Sequence, residues 1–325
     1  MINRLTKLFT GKEIILYDKH RQTEPLAQNA FNKSKFLFID IGVLWRLIPF
    51  RSIDKRKHKI MFCLLTIIRP KYILTMNWIS VRESLYKVWT AKHPESRFIV
   101  VQHGSYKGGI VTDIAHRYAK CDVFFVWGEY FKNVFEHYNK GKNVQIVSLG
   151  NPVYNTCNRN DFTYRKGITG KILLLPSASD ELLLEHLYSL IHRLNELEFK
   201  VFVKTHNKQG RELNKDGSFK YPEIKNVEKI TSDLYEVLRK NDFDFIISDH
   251  STALLDAIFF KNKVIYFDSI NGKNDQKTYY SCVLPNLYEQ NYNNISKVDF
   301  YAFLDIPRQE RLFSAMVSIG DNHIP

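Results

Sequence analysis

Short, almost fully apolar runs of strand length recur along this chain, each followed by a stretch with helical spacing. They fall in two successive series with a polar stretch between them. The first series contains Glu13–Tyr17, Phe36–Ile39, Lys71–Thr75, Arg97–Gln102, Cys121–Trp127 and Val144–Leu149. Helices are expected between them at Val81–Lys92, with Val81, Leu85, Val88 and Trp89 on one face, and at Phe131–Tyr138. Strands that are apolar on both faces belong in a parallel sheet covered by helices on each side.

Asn151–Gly170 interrupts the pattern with Asn, Thr, Arg, Asp and two glycines, and reads as a linker. The alternation then restarts. Strands are expected at Lys171–Leu175, Phe199–Lys204, Phe243–Ser248 and Lys263–Phe267. Helices are expected at Asp180–Leu197, Ser232–Lys240 and Thr252–Phe260, with a last one at Arg308–Ile319. At 325 residues the chain accommodates two domains. The expected division is an N-terminal Rossmann-like lobe over 1–158 and a C-terminal Rossmann-like lobe over 159–325. The last helix returns to the first lobe.

Charge narrows the partners. Lys and Arg number 47 against 34 Asp and Glu, a formal net charge of +13, which favours phosphate-bearing or anionic-surface partners. The excess is strongest before about residue 75, as in Arg51–Lys59, a cluster suited to docking on an anionic membrane face. Nucleic acid is not an expected partner, because no zinc-finger, RNA-recognition or helix-turn-helix pattern is present. The four cysteines (Cys63, Cys121, Cys157 and Cys282) form no CxxC pair and give no disulfide framework. No apolar run reaches the roughly 20 residues of a membrane span, and no secretory signal opens the chain. A cytoplasmic protein, peripheral at the inner membrane face, is the expectation.

In open parallel sheets ligands bind beyond the carboxyl ends of the strands. Four such ends carry chemistry-bearing residues. Gln102-His103-Gly104-Ser105 puts an imidazole at a strand end, where it can serve as a general base, donate to a phosphate or tie down a loop; Lys107, Gly108 and Gly109 follow. Gly150-Asn151-Pro152 marks a hinge or a plain turn. Lys204-Thr205-His206-Asn207, reinforced by Lys208, forms a compact cationic site for phosphate or a patch of surface charge. Ser248-Asp249-His250-Ser251-Thr252 runs into a helix that contains Asp256; the hydroxyls cap that helix, and its N-terminus suits a pyrophosphate. No GxSxG, GxxxxGK[ST] or GxGxxG pattern supports a serine hydrolase, a P-loop enzyme or a nicotinamide enzyme. His103, His206 and His250 lack metal-site spacing, so no metal is expected.

These motifs, in this order, resemble the CDP-glycerol glycerophosphotransferase-like superfamily and related capsule and O-antigen GT-B glycosyltransferases. The resemblance covers about residues 98–268. It rests on Gln102-His103-Gly104, Gly150-Asn151-Pro152, Lys204-Thr205-His206-Asn207, and Ser248-Asp249-His250-Ser251-Thr252 with Asp256 and Lys263–Phe267. His250 stands where that superfamily has an aromatic, Asn207 where it has proline and Gln102 where it has tryptophan. The resemblance implies a GT-B-like α/β fold, two Rossmann-like lobes with parallel sheets facing a central cleft. It implies His103 as the acceptor-activating base and His206, Ser251 and Thr252 as holders of a donor diphosphate, with Lys204 beside them. Gln102, Gly104, Asp249, His250 and Asp256 support the site.

The expected activity is transfer of a sugar from a nucleotide-activated donor to a growing surface glycan such as a capsule or O-antigen, on a lipid-linked or oligosaccharide acceptor. The donor is a substrate, and no cofactor is expected. Three alternatives stay open: transfer of glycerol or ribitol phosphate from a CDP-linked donor, sugar-nucleotide epimerisation, and non-catalytic binding of an anionic polymer.

Overall fold

The apolar runs of the first series become strands because β-branched and aromatic side chains suit a pleated, buried surface. In chain order the elements are β1 (Glu13–Tyr17), α1 (Thr23–Asn29), β2 (Phe36–Asp40), α2 (Ile41–Leu47), α3 (Lys55–Ile68), β3 (Tyr72–Thr75), α4 (Val81–Ala91), β4 (Arg97–Val101), α5 (Ile114–Arg117), β5 (Val123–Val126), α6 (Glu129–Tyr138) and β6 (Gln145–Ser148). The second series gives β7 (Lys171–Leu175), α7 (Glu181–Glu196), β8 (Lys200–Val203), β9 (Glu228–Lys229), α8 (Leu234–Lys240), β10 (Phe245–Ser248), α9 (Thr252–Phe259), β11 (Val264–Tyr266), α10 (Tyr279–Val283), α11 (Lys297–Ala302) and α12 (Ile306–Met316). The computed structural model describes residues 11–29, 31–50, 55–106, 114–176, 181–205, 226–249, 251–267, 279–287 and 292–318. It divides into two units. Unit 1 comprises Met1–His103, Val111–Cys157 and Ala315–Pro325; unit 2 comprises Gly104–Ile110 and Asn158–Ser314.

Unit 1 is built on a six-stranded sheet in the order β2-β1-β3-β4-β5-β6. Every pairing in it is parallel. One face is filled by Ile15, Leu74, Ile99, Val101 and Phe125 packed with Leu26 and Phe31 around α1. Burying each such side chain contributes about 1.5–3 kcal/mol. Strand order reverses at β1, which lies between β2 and β3, so the switch point of this sheet is the carboxyl end of β1 and β3. The tail closes on the same unit. Ser318 N–H donates to Trp127 O at 2.7 Å, and Gly150, at φ +87°, passes so close that a Cβ there would sit 2.5 Å from Ser318 O.

Unit 2 has a five-stranded sheet in the order β11-β10-β7-β8-β9, again parallel throughout. Its core joins Ile172, Leu174, Val201, Phe245 and Ile247 to Leu187, Leu190 and Leu194 of α7. Its switch point falls between β7 and β10. Residues 158–164 are fastened to this unit. Phe162 packs on Phe260 with ring centroids 5.0 Å apart, and Arg159, Lys261 and Tyr164 converge on Glu310 of α12.

Two readings of the sequence differ from the structure. The inner face of α4 keeps the expected Trp89 but not Val81 and Val88. Glu83, Tyr86, Trp89 and Thr90 are buried, while Val81 and Val88 are 71% and 54% exposed. Tyr86 and Trp89 have more apolar area than the valines, and each ring also has a partner for its polar tip: Trp45 Nε1 donates to the Tyr86 hydroxyl oxygen at 2.6 Å and Trp89 Nε1 to Thr66 Oγ1 at 3.1 Å. Helices α2 and α3 are additions to the elements expected from the sequence; α3 buries Met61, Leu65 and Ile68 at helical spacing.

Candidate functional site

In unit 2 the residues after β10 are shaped by local hydrogen bonding. Asp249 Oδ1 accepts from Ser251 N–H at 3.1 Å, which turns the chain. Ser251, with φ −67° and ψ 148°, is the N-cap of α9, and its Oγ accepts from Ala253 N–H at 3.2 Å. Thr252 Oγ1 accepts from Ser105 N–H at 2.9 Å. Gly104 lies against that hydroxyl, where a Cβ would come within 3.2 Å of it, so the absence of a side chain is what lets the two segments meet. Helix α9 is buried from Leu254 to Phe259. The positive end of its dipole therefore has a fixed position at the switch point of the sheet, beside the last residues of β7 and β10.

Lys204 follows β8 at the same sheet edge, and its N–H is bonded to Leu174 O at 3.0 Å. With β7 between β8 and β10, Lys204 lies about 10 Å from Ser248 in the sheet plane. Asp249 is buried and lines a small cavity of about 20 Å³ with Pro176, Ser248 and Phe267. Asp256 is buried within α9 and accepts from Tyr235 O–H at 3.1 Å, so it ties helices together. His206, Asn207, Lys208 and His250 lie outside the described residues, as do Lys107, Gly108 and Gly109.

In unit 1 the strand end after β4 divides its work between two residues. Gln102 is fully buried and acts as a clamp: its Oε1 accepts from Trp127 N–H and its backbone O from Trp127 Nε1, both at 2.9 Å. A buried amide needs such partners, so Gln102 fixes the neighbouring strand ends rather than facing a ligand. His103 is bonded to the backbone of Met76 at the end of β3, and its ring centroid is 6.4 Å from that of His116. Burial, and then the His116 charge, lower its pKa to about 4; the Met76 bond opposes this, and His20 and Arg21 add to the lowering. His103 is thus a neutral imidazole at pH 7, the form that accepts a proton.

Sequence reasoning missed the cluster after β1. Asp18 Oδ2 is 2.7 Å from Arg82 Nη2, and Arg82 Nε is 3.2 Å from Glu83 Oε1. Burial pushes the Asp18 carboxyl up to about 6 against the pull of Arg82. Gln22 is fully buried, and neither atom of its side-chain amide has a partner among the described residues. The signal available in sequence was position alone: Asp18, His20, Arg21 and Gln22 directly follow the first strand, the place where such sheets bind ligands. Among the described residues no group of three His, Cys, Asp or Glu is placed to hold a metal ion.

Solved structures similar to this chain share its fold. UDP-bound MnaA of S. aureus is 13% identical, with a TM-score of 0.56 over 96% of this chain and 93% of its own. A UDP-N-acetylglucosamine 2-epimerase from Listeria monocytogenes is 12% identical, with a TM-score of 0.57 over 95% and 92%. The wall teichoic acid polymerase TagF, as its H444N variant, is 11% identical, with a TM-score of 0.54 over 96% and 85%. At such identities they establish the GT-B-like α/β class, two units each with a parallel sheet. No curated protein matches the chain by sequence. A family model described as LIC12162 family transferase matches residues 12–206, more than half of the chain. That span takes in the whole sheet of unit 1, His103 and the first strands of unit 2, and by it the chain belongs to the LIC12162 family of transferases.

Proposed function

We propose that this transferase moves a sugar from a nucleotide-activated donor to a growing surface glycan, such as a capsule or O-antigen, on a lipid-linked or oligosaccharide acceptor. The observation that carries the proposal is the chemistry at one strand end of each unit, taken separately. Unit 2 offers a capped helix N-terminus with Lys204 at the same sheet edge, a seat for a diphosphate. Unit 1 offers His103 held neutral, a base for an acceptor hydroxyl. UDP in the MnaA structure and UDP-GlcNAc in a Neisseria meningitidis 2-epimerase structure support a nucleotide-sugar donor.

In this mechanism Ser251, Thr252, Lys204 and His206 hold the donor diphosphate. The α9 amides and the lysine stabilise the charge that develops on it as the bond to the sugar breaks. His103 takes the proton from the attacking hydroxyl. Asp249 and Gly104 shape the loops around Ser251 and Thr252, Gln102 anchors the strand that bears His103, and His250 and Asp256 support the α9 start. No metal and no cofactor beyond the donor is assigned. The proposed location is the cytoplasm, with peripheral contact at the inner membrane face.

A screen of nucleotides by thermal shift tests the donor. A ligand at a hundred times its dissociation constant stabilises by about 2.7 kcal/mol. Stabilisation by UDP, GDP or CMP sugars supports the glycosyltransferase. His103→Ala then abolishes turnover while the nucleotide still binds; unchanged turnover refutes the base assignment.

Transfer of a polyol phosphate is the second reading, favoured by the likeness to TagF, which was also solved with CDPG at a TM-score of 0.52. Stabilisation by CDP-glycerol alone selects it. Epimerisation is tested with UDP-N-acetylglucosamine and no acceptor, since an epimerase turns it over unaided. A chain that binds anionic polymer without turning over any donor is the non-catalytic alternative.

A further inference from the structure

We propose that the outward face of α2, α3 and α4 in unit 1 is a docking surface for an anionic lipid bilayer. This deepens the membrane part of the proposed function and rests on that part alone, independent of the transfer chemistry. The three helices pack on one another. Trp45 of α2 bonds Tyr86 of α4 and its ring lies 5.4 Å from that of His58 of α3, while Trp89 of α4 bonds Thr66 of α3. Their inner sides are filled by Ile41 and Trp45, by Met61, Leu65 and Ile68, and by Tyr86 and Trp89. Outside, each of the three helices leaves large apolar side chains exposed.

Of the exposed large hydrophobic residues, Val43 and Leu47 belong to α2, Ile60 and Ile67 to α3, and Val81 and Val88 to α4; Leu47 is 73% exposed. They recur at helical spacing within each helix, as in an interfacial helix with one apolar side. Scattered single apolar residues need no explanation, but a set on three contiguous helices marks an interaction surface.

Charge identifies the occupant. Residues 41–92 contain eleven Lys and Arg but two acids, Asp54 and Glu83. Glu83 is buried and paired with Arg82, so that arginine is compensated and the outward charge comes from the others. Arg46, Lys55, Arg56, Lys59 and Lys92 are exposed around the apolar residues. Beside α4 an open groove of about 590 Å³ continues this surface. It is lined by Lys87, Val88, Tyr118, Lys120, Lys142 and Asn143. Lys142 Nζ rests 3.6 Å over the Tyr118 ring, and Lys87 Nζ lies 2.5 Å from Asp122. A basic rim around exposed aliphatic side chains matches lipid phosphates above acyl chains. A nucleic acid would use the charge and leave the aliphatic residues in water.

Sedimentation of the full chain with vesicles tests this. Phosphatidylcholine vesicles are compared with vesicles in which phosphatidylglycerol replaces one lipid in three, at low and high salt. The expected result is binding to the anionic vesicles only, weakened by salt. The triple variant Lys55→Glu, Arg56→Glu, Lys59→Glu should lower the partition coefficient roughly a hundredfold or more. The variant Leu47→Ser, Ile60→Ser should weaken the binding that survives at high salt. Both change exposed positions, so both should keep the wild-type melting temperature and turnover of a water-soluble acceptor.

Several results would overturn the inference. These are no binding by the wild-type chain, equal binding to neutral and anionic vesicles, or binding unaltered in both variants. A wild-type dimer that Leu47→Ser, Ile60→Ser converts to monomer would instead make the face a self-association surface. None of these outcomes depends on a donor, so a failed transfer assay leaves the docking result readable.

Discussion

His103→Gln isolates the imidazole on which the proposed chemistry turns. In the folded chain the His103 pKa lies at about 4, against an ordinary 6.5. That gap corresponds to about 3 kcal/mol. The folded state resists the proton, so the stabilisation is fully present above pH 6.5 and is lost as pH falls toward 4. Asp18 acts in the opposite sense over nearly the same window. Its folded pKa of about 6 exceeds the ordinary 3.8, so its contribution is present below 3.8 and lost as pH rises through 6. The two contributions have opposite pH slopes in the wild-type chain. The difference between wild type and His103→Gln removes the Asp18 part, which is common to both. All four tryptophans, Trp45, Trp78, Trp89 and Trp127, lie in unit 1, so urea unfolding followed by tryptophan fluorescence reports that unit. The stability of wild type relative to the variant should fall by about 3 kcal/mol between pH 6.5 and 4. A pH-independent difference, or an imidazole that titrates near 6 by NMR, refutes the account of His103 as a buried neutral base.

Glu310→Ala leaves Arg159 and Lys261 facing each other without their carboxylate and should cost about 2–4 kcal/mol, read by calorimetry as a lower transition of unit 2. The Glu310 pKa is held near 2 because the bonds from Arg159, Lys261 and Tyr164 outweigh burial; the wild-type advantage is present above about 4.5 and vanishes as pH falls toward 2. Ser251→Ala removes the α9 cap at a cost of about 1 kcal/mol and should weaken nucleotide binding in the thermal-shift assay. Gln22→Leu exchanges a buried amide lacking partners for an apolar group and should stabilise unit 1 by about 1–3 kcal/mol; a loss of stability would show that the amide is satisfied. Gly150→Ala drives a Cβ into Ser318 O at a left-handed φ and should destabilise unit 1 by more than about 1 kcal/mol, measured by the same fluorescence transition.

The sheet strands were legible because both of their faces are buried. Ile99, Val100 and Val101, or Phe245, Ile246 and Ile247, have no solvent side, so each run is apolar throughout and stands out without any period. The start of α9 was legible for a different reason. Capping is a short-range interaction between neighbours in sequence, and Ser251 and Ala253 are two residues apart. What Gln102 supports was hidden for the complementary reason. Its partner is Trp127, twenty-five residues away, and only the fold brings the two together. The Asp18–Arg82 pair was hidden likewise, its members sixty-four positions apart.

The helices α2, α3 and α4 show where reading by period fails in principle. An apolar stripe is normally assigned to the core, but that inference assumes water on the opposite side. In α4 two stripes compete: Val81 and Val88 on one, Tyr86 and Trp89 on the other. The larger rings win the interior because they bury more area, and their Nε1 and O–H groups find partners there. The valines are left outside next to Lys87 and Lys92, as Ile60 is left beside Lys59 in α3. A helix that is apolar on two sides and basic between them is poorly suited to water alone. It is on this second apolar side, with exposed Lys92 beside it, that the proposed docking surface rests.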